Sequence, residues 1–442
     1  MHRFFGIHEA KSSPRTEILG GIATFLTMAY IIFVNPAILS EAIPGVADNP
    51  LLREQFFGAF MVATIVSMAS ATLIMGLLAN YPFALAPGMG LNAYFTYVVC
   101  LKMGIDWRDA LGAVFVEGII FILLTLAGAR VFIVRAIPRA VKFSSSAGIG
   151  IFLAFIGLKG AGLISADPNT FVTLGKLTSP EAVTCIIGLL IITTLFAFKI
   201  PGSVLLGILV ATIFGSFVGV THFKGIVGPI PDISPTFFKL QVSWESLTTP
   251  AFWIVVMTFF FADFFDTAGT LTGLSNAAGF ADKDGNLPRG GKAYMADAIG
   301  TALGALFGTS TVTTYIESGA GIAQGARTGL ASVVTALFML SALFFAPLAM
   351  SIPAAATAPA LIFIGALMMV NLKDLEWNDV TEALPAFITI VAMPLTFSIA
   401  NGIALGIITF TLVKLCSGKL RQIHWLTGLL SFAFILYFIY LH

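Results

Sequence analysis

Charge is the scarcest ingredient of this sequence. Lys, Arg, Asp and Glu make up 10% of its 442 residues, where soluble chains carry about 25%. Hydrophobic residues make up 58%, and mean hydropathy is +0.97. A chain so poor in charge cannot clothe itself for water, which excludes an ordinary soluble domain. The net charge is +1, so the basic surplus that a nucleic-acid partner requires is missing too. Cysteine is nearly absent: Cys100, Cys185 and Cys416 lie far apart in apolar runs. That excludes a disulfide framework and gives no metal-ligand spacing, and nothing calls for a metal or an organic cofactor. Histidine is missing from the apolar runs, since all five lie in termini or loops, at 2, 8, 222, 424 and 442. Any proton chemistry inside those runs therefore has to use carboxylates.

What is present is a succession of long, continuously apolar stretches. A bilayer core about 30 Å thick takes about 20 apolar residues per helix, whereas a membrane barrel would alternate apolar and polar positions. The sequence predicts an all-α integral membrane protein. The runs fall at about 18–40, 57–79, 84–99, 108–127, 145–164, 181–198 and 202–220. After a polar, proline-bearing stretch they resume at about 251–274, 291–308, 311–324, 329–350, 355–371, 384–399 and 402–416. That is seven and seven, with a further apolar run at 425–440 that either crosses the membrane or packs along it. The polar start, Met1 to Glu17, precedes a run of full span length, which reads as a retained helix and not a cleaved signal. With that end in the cytoplasm, only Arg53, Lys102, Arg108, Lys159, Lys176, Lys224 and Lys239 of the 23 Lys and Arg fall outside, as the positive-inside rule asks.

Seven spans per half would invert the second half against the first. Phe198-Lys-Ile200 followed by Leu206-Gly-Ile208 matches Phe397-Ser-Ile399 followed by Leu405-Gly-Ile407 at identical spacing, and Ile137-Pro138 matches Ile352-Pro353. The third run of each half is a poor helix. Asn80 to Gly90 carries two prolines and two glycines, and Gly308 to Tyr315 is β-branched and rich in hydroxyls. Each reads as an extended piece leading into a short half-helix. Such backbone is tolerated at membrane depth only where it is buried in protein or lines a cavity, and paired interruptions point to a transporter's binding site.

Ionisable residues inside spans are functional candidates by default. They are Glu117, Asp263, Asp266, Asp297 and Glu317, with no Lys or Arg at comparable depth. Acids without basic partners must be protonated, bind a cation, or alternate between the two, which is the chemistry of a proton-coupled symporter. Asp263 and Asp266 lie three apart and share roughly one helix face. Phe260, Phe261 and Phe264 flank them, either to stack on a planar ring or as plain packing. The acids could instead be helix-to-helix hydrogen-bonding groups, and Glu117 and Asp297 read as structural. Asn92 offers an amide donor and acceptor suited to a base edge, or else a helix cap.

Gly88-Met-Gly-Leu-Asn-Ala-Tyr94, Asp263-Phe-Phe-Asp-Thr-Ala-Gly-Thr270 and Thr314-Tyr-Ile-Glu-Ser-Gly-Ala-Gly321 resemble the signatures of the nucleobase–cation symporter-2 family. Within it they resemble the bacterial and fungal branch that carries hypoxanthine, guanine and adenine. Arg15-Thr-Glu-Ile-Leu-Gly-Gly-Ile-Ala-Thr-Phe-Leu-Thr-Met-Ala-Tyr30 and Leu287-Pro-Arg-Gly-Gly-Lys292 fit the same branch, and the likeness covers nearly the whole chain. It implies a purine permease, not an enzyme, importing hypoxanthine or guanine with a proton across the inner (plasma) membrane of a bacterium. The fold it implies has fourteen spans in two inverted seven-span repeats. A core domain (18–127 and 251–350) would carry substrate, and a gate domain (128–220 and 351–442) could pair as a homodimer. The purine would lie between the half-helices of spans 3 and 10 beside span 8, touched by Asn92, Gly90, Phe261, Asp263, Asp266, Thr267, Thr314, Glu317 and Ser318. Asp266, Asp263 and Glu317 would serve proton coupling. An adenine-preferring permease is the alternative. An anion carrier of the same fold would be expected to have a basic or neutral site. An intramembrane aspartyl protease would need two acids brought together from separate segments and a Gly-x-Gly-Asp stretch that the chain lacks. An uncoupled channel would not accumulate its cargo.

Overall fold

The computed structural model describes residues 2–128, 138–280 and 287–440. Arg130, Arg135 and Lys283, assigned above to the inner side, and Ile137 of the repeat match lie outside the described residues. Helices dominate. Those long and apolar enough to cross a membrane run Pro14–Ser40, Pro50–Ala79, Trp107–Leu126, Arg139–Gly160, Pro180–Ala197, Pro250–Ala278, Gly329–Met350 and Ile399–Cys416. Shorter apolar helices occupy Ser203–Phe217, Ala354–Met368, Val380–Thr396 and Trp425–Leu436.

In chain order the principal elements begin with α1 (Pro14–Met28), α2 (Ile31–Ser40) and α3 (Pro50–Ile74). Then come β1 (Leu85–Pro87), α4 (Met89–Ala93), α5 (Trp107–Leu126), α6 (Arg139–Gly160), β2 (Ile164–Asp167) and β3 (Phe171–Leu174). They continue with α7 (Pro180–Ala197), α8 (Ser203–Phe217), α9 (Pro250–Ala278), α10 (Gly290–Phe307), β4 (Val312–Thr314), α11 (Gly319–Ala323) and α12 (Gly329–Ser341). The last are α13 (Ala354–Met368), α14 (Val380–Thr396), α15 (Ile399–Cys416) and α16 (Trp425–Tyr440).

Local sequence sets many of the starts. Ser13, Asn49 and Ser179 each precede a proline at the first helical position and accept backbone N–H groups from the first turn. The cap satisfies orphan donors, and proline has no N–H there to lose. The purely helical expectation needs amending in one place. Between α6 and α7 the chain forms an exposed antiparallel hairpin, β2 against β3, pairing Ile164 with Leu174 and Asp167 with Phe171.

The chain gathers into two compact units, Met1–Leu123 with Gly157–Ala360, and Leu124–Ile156 with Leu361–His442. In the second unit α14 and α15 form a tight hairpin, because a Cβ at Gly406 would collide with Thr389 and one at Gly402 with Met393. The hairpin's end holds Lys414, 1% exposed. It pairs with Glu382 at 2.6 Å and donates to Thr381 and Gln422 at 2.8 and 2.7 Å. In the first unit α7 and α8 make a matching hairpin through Gly207 against Ile192.

Also in the first unit, α12 and the wide helical turn Met75–Ala79 that follows α3 approach until Gly76 and Gly329 meet at backbone distance. A Cβ on Gly329 would overlap the Gly76 carbonyl oxygen, while the Gly329 N–H donates to Asn80 Oδ1 at 2.7 Å. Gly329→Ala is expected to cost about 1–3 kcal/mol, read as a fall of several degrees in the Tm of the detergent-purified protein. Gly269→Ala, whose Cβ would meet nothing within 4 Å, should leave that Tm unchanged or slightly raised. Equal Tm values for the two variants would contradict the packing.

Candidate functional site

The site grows from the two stretches that cannot be helical. Pro82 and Pro87 lack the N–H that a helix interior needs, and Thr309 to Thr314 are mostly β-branched and hydroxyl-bearing. Both run extended inside the first unit and pair antiparallel, β1 against β4, with Leu85 opposite Thr314, Ala86 opposite Thr313 and Pro87 opposite Val312. Flanking bonds lengthen the ladder: Gly88 N–H donates to Thr311 O at 2.9 Å and Tyr315 N–H to Ala84 O at 3.0 Å. Backbone groups at this depth need protein partners. Neighbouring hydroxyls supply them, with Ala84 N–H donating to Ser318 Oγ at 2.9 Å and Leu85 N–H to Thr72 Oγ1 at 3.0 Å. Thr301 donates to Val312 O at 2.9 Å, and Ser332 lies within donating distance of Tyr81 O and Phe83 O. Beyond the ladder one strand continues into α4, and the other passes through a single tight turn, Ile316–Ser318, into α11.

Glu317 lies on that turn and is half-buried. The Tyr30 hydroxyl donates to its Oε1 at 2.7 Å, and Thr27 Oγ1 reaches its backbone carbonyl at 3.3 Å. Asp266 projects from α9, also half-buried, and the charged groups near enough to act on it are Asp297 and Glu317. Tyr315 borders both Asp266 and Glu317, and its hydroxyl donates to Pro87 O. Beside this pair the structure is open. Gly269, one turn along α9 from Asp266, is exposed with nothing within 4 Å of a built Cβ, and Ile316 is 57% exposed.

The remaining acids lie deeper. Asp297, fully buried on α10, accepts the Thr314 N–H and hydroxyl at 2.9 Å each, and the Thr267 hydroxyl at 2.9 Å. Thr267 also lies 2.8 Å from Thr313 Oγ1 and 3.5 Å from Asp263 Oδ1. Asp263, fully buried, neighbours Glu117, whose Oε2 accepts the Thr311 hydroxyl at 2.9 Å. Two residues that share a face by spacing thus meet different partners, Asp266 near Glu317 and Asp263 with Glu117 and Thr267, with Asp297 close to both groups. Asn92 is also fully buried. Its Nδ2 donates to Pro87 O at 3.4 Å, and Ser310 donates to its Oδ1, so the amide fastens the start of α4. The buried Gly90 carbonyl accepts the Tyr94 N–H. Phe260 and Phe264 are buried and pack against Phe121. Phe261 is half-buried between Phe260 and Phe265, with ring centroids 5.4 and 6.3 Å away.

The structure therefore brings Asp266, Glu317, Thr267, Thr314 and Ser318 around one ladder. It adds Tyr30 and Tyr315, which the sequence reading passed over. Nothing in the spacing marks Tyr30, which reaches Glu317 across 287 positions. Among the described residues no three His, Cys, Asp or Glu gather so as to hold a metal ion.

A permease-family profile (Xan_ur_permease) matches residues 15–405. Over the whole chain and 98% of its counterpart, the sequence is 50% identical to a putative permease of Methanocaldococcus jannaschii. It is 43% identical to a guanine/hypoxanthine permease of Bacillus subtilis, over 100% of both chains. It is 40% identical to an adenine permease of Escherichia coli, over 100% of this chain and 96% of the other. Among solved structures, the transmembrane domain of a cyanobacterial bicarbonate transporter aligns with a TM-score of 0.64 at 16% identity, covering 88% of this chain and 97% of that one. That likeness is one of fold.

Proposed function

Because the chain belongs to the nucleobase–cation symporter-2 family, in its purine permease branch, we propose that it imports hypoxanthine and guanine together with a proton by alternating access. It is a multi-pass membrane transporter and not an enzyme. The observation that carries the reading is that Asp266 on α9 and Glu317 on the Ile316–Ser318 turn, two half-buried acids, lie close enough for their charges to interact, where the turn follows the β1–β4 ladder and Gly269 is exposed. A purine presents ring N–H donors, and the Glu317 carboxylate is the acceptor for them. Asp266 takes the coupling proton. Charge is costly to move at membrane depth, so a protonated Asp266 lowers the barrier to carrying the loaded site across. Asn92, Gly90, Thr267, Thr314, Ser318 and Asp263 shape and brace the cradle, and Phe261 offers a ring face at its edge.

The architecture proposed with this mechanism has fourteen spans in two inverted repeats, with the N-terminus in the cytoplasm. A carrier body (18–127 and 251–350) works against a gate (128–220 and 351–442) that can pair with a second copy. The ladder between β1 and β4, one strand from each half, supports the repeat. A fold shared with a bicarbonate transporter leaves anion transport as a reading, but a site whose charged groups are carboxylates favours a donor-bearing cargo over an anion. Relatives named for guanine/hypoxanthine and for adenine stand at 43% and 40% identity, so preference among purines has to be measured. Radiolabelled hypoxanthine uptake, in cells stripped of their own purine permeases, should be saturable and blocked by guanine. Added block by adenine would mean a broad site. No hypoxanthine uptake, with the protein present in the membrane, would overturn the oxopurine assignment.

A further inference from the structure

We propose that Tyr30 is the positioning residue for Glu317, anchoring one oxygen of its carboxylate so that the other edge is presented, already oriented, to the purine. This rests on the purine-site reading of Glu317.

Glu317 sits on a single turn, Ile316–Ser318, too short to impose an orientation, and its own side chain has three rotatable bonds. Fixing such a group before the ligand arrives removes an ordering cost from binding. The first span is built to do so. Its hydrogen bonding shifts at Ala29 and Tyr30, which keep right-handed helical angles, and Tyr30 there is 1% exposed. The Tyr30 hydroxyl donates to Oε1 at 2.7 Å, while Thr27, one turn earlier, bonds Thr24 O at 2.8 Å with its hydroxyl and only lies beside the Glu317 carbonyl at 3.3 Å. The span thus holds the Glu317 side chain through Tyr30 and packs Thr27 against its backbone. Glycines bring the helices close enough. A Cβ on Gly321 would strike Thr24 Oγ1 and the Gly20 carbonyl, and one on Gly20 would meet Ala326 Cβ at 2.6 Å. The ionisable groups around the Tyr30 phenol are Glu317, Tyr315 and Asp266. Glu317 is the one it bonds, and Tyr315 is engaged with Pro87.

The test is Tyr30→Phe in the full-length protein, with hypoxanthine as the probe. Equilibrium binding to purified protein and initial uptake rates are both measured. Loss of one donor to a charged acceptor should raise Kd and KM about tenfold, with maximal velocity within about twofold and membrane abundance unchanged. Unchanged Kd and KM would overturn the proposal. So would a fall in maximal velocity at constant KM, or failure of the variant to reach the membrane, since the hydroxyl would then serve folding. Wild-type protein that binds no purine would instead sink the functional reading itself, so the two failures are distinguishable.

Discussion

Glu317→Gln should leave the protein folded and weaken purine binding about 100-fold. The substitution keeps the shape of the side chain and one acceptor oxygen, to which Tyr30 can still donate. It removes the charge that makes the acceptor strong, and a hydrogen bond to a charged group contributes about 1.5–3 kcal/mol. It also turns an amide N–H₂ toward ring N–H groups, setting donor against donor. A total of about 3 kcal/mol corresponds to roughly 100-fold in Kd. Equilibrium binding of hypoxanthine to purified protein checks this directly. Full affinity in the variant would mean that the purine is held elsewhere, and the site would have to be redrawn.

Asp266→Asn is expected to separate transport from accumulation. The amide cannot load a proton, so Asp266 becomes permanently neutral, yet the cradle built by the ladder, Glu317 and Tyr30 is untouched. Exchange of labelled for unlabelled purine across vesicles should persist. Uphill accumulation should not. A driving force of 100 mV is equivalent to about 2.3 kcal/mol per charge, enough to concentrate a neutral cargo roughly 50-fold with one proton. The variant's steady-state ratio should fall to about one and become insensitive to protonophore. Accumulation at the wild-type level would show that another group carries the proton. The deeper acids provide a contrast. Asp297 receives three hydrogen bonds from Thr314 and Thr267, so Asp297→Asn should lower thermal stability before it alters the coupling ratio.

How far the sequence leads can be judged from these residues. The interrupted segments were legible, because proline at 82 and 87 and hydroxyl-rich, β-branched residues at 309–314 cannot continue a helix whatever surrounds them. The list of acids was legible too, since a carboxylate among apolar residues stands out against its neighbours. Their grouping was not. Asp263 and Asp266 share a face by helical arithmetic, but what each one meets depends on α5 and on the turn at 316–318, which lie far away in the chain. Asn92 reads equally well as a base-binding amide or a helix fastener. Only the positions of Pro87 and Ser310 reveal that both ends of its amide are engaged. Lys414 reads from the sequence as an inner-side charge, because it falls near the end of an apolar run where a lysine ordinarily reaches for water, whereas here Glu382 and Gln422 close over it. The hairpin at 164–174 carries no strong alternation, and polar connecting residues disguise it as a loop.

The ladder also bears on how the protein is made. Leu85 to Pro87 emerge from the ribosome more than 200 residues before Val312 to Thr314, the segment with which they pair. Thr72, earlier in the chain, can partner Leu85, but the ladder bonds themselves have no partner until the second half is made, and unmatched backbone groups are costly at membrane depth. The first half is therefore expected to stay incompletely packed until the second half supplies the missing strand. A nascent chain stalled before residue 312 should leave the stretch from Asn80 to Gly90 open to protease, and release of the stalled chain should close it. The two halves cannot mature one after the other, because neither has a finished interior without the other.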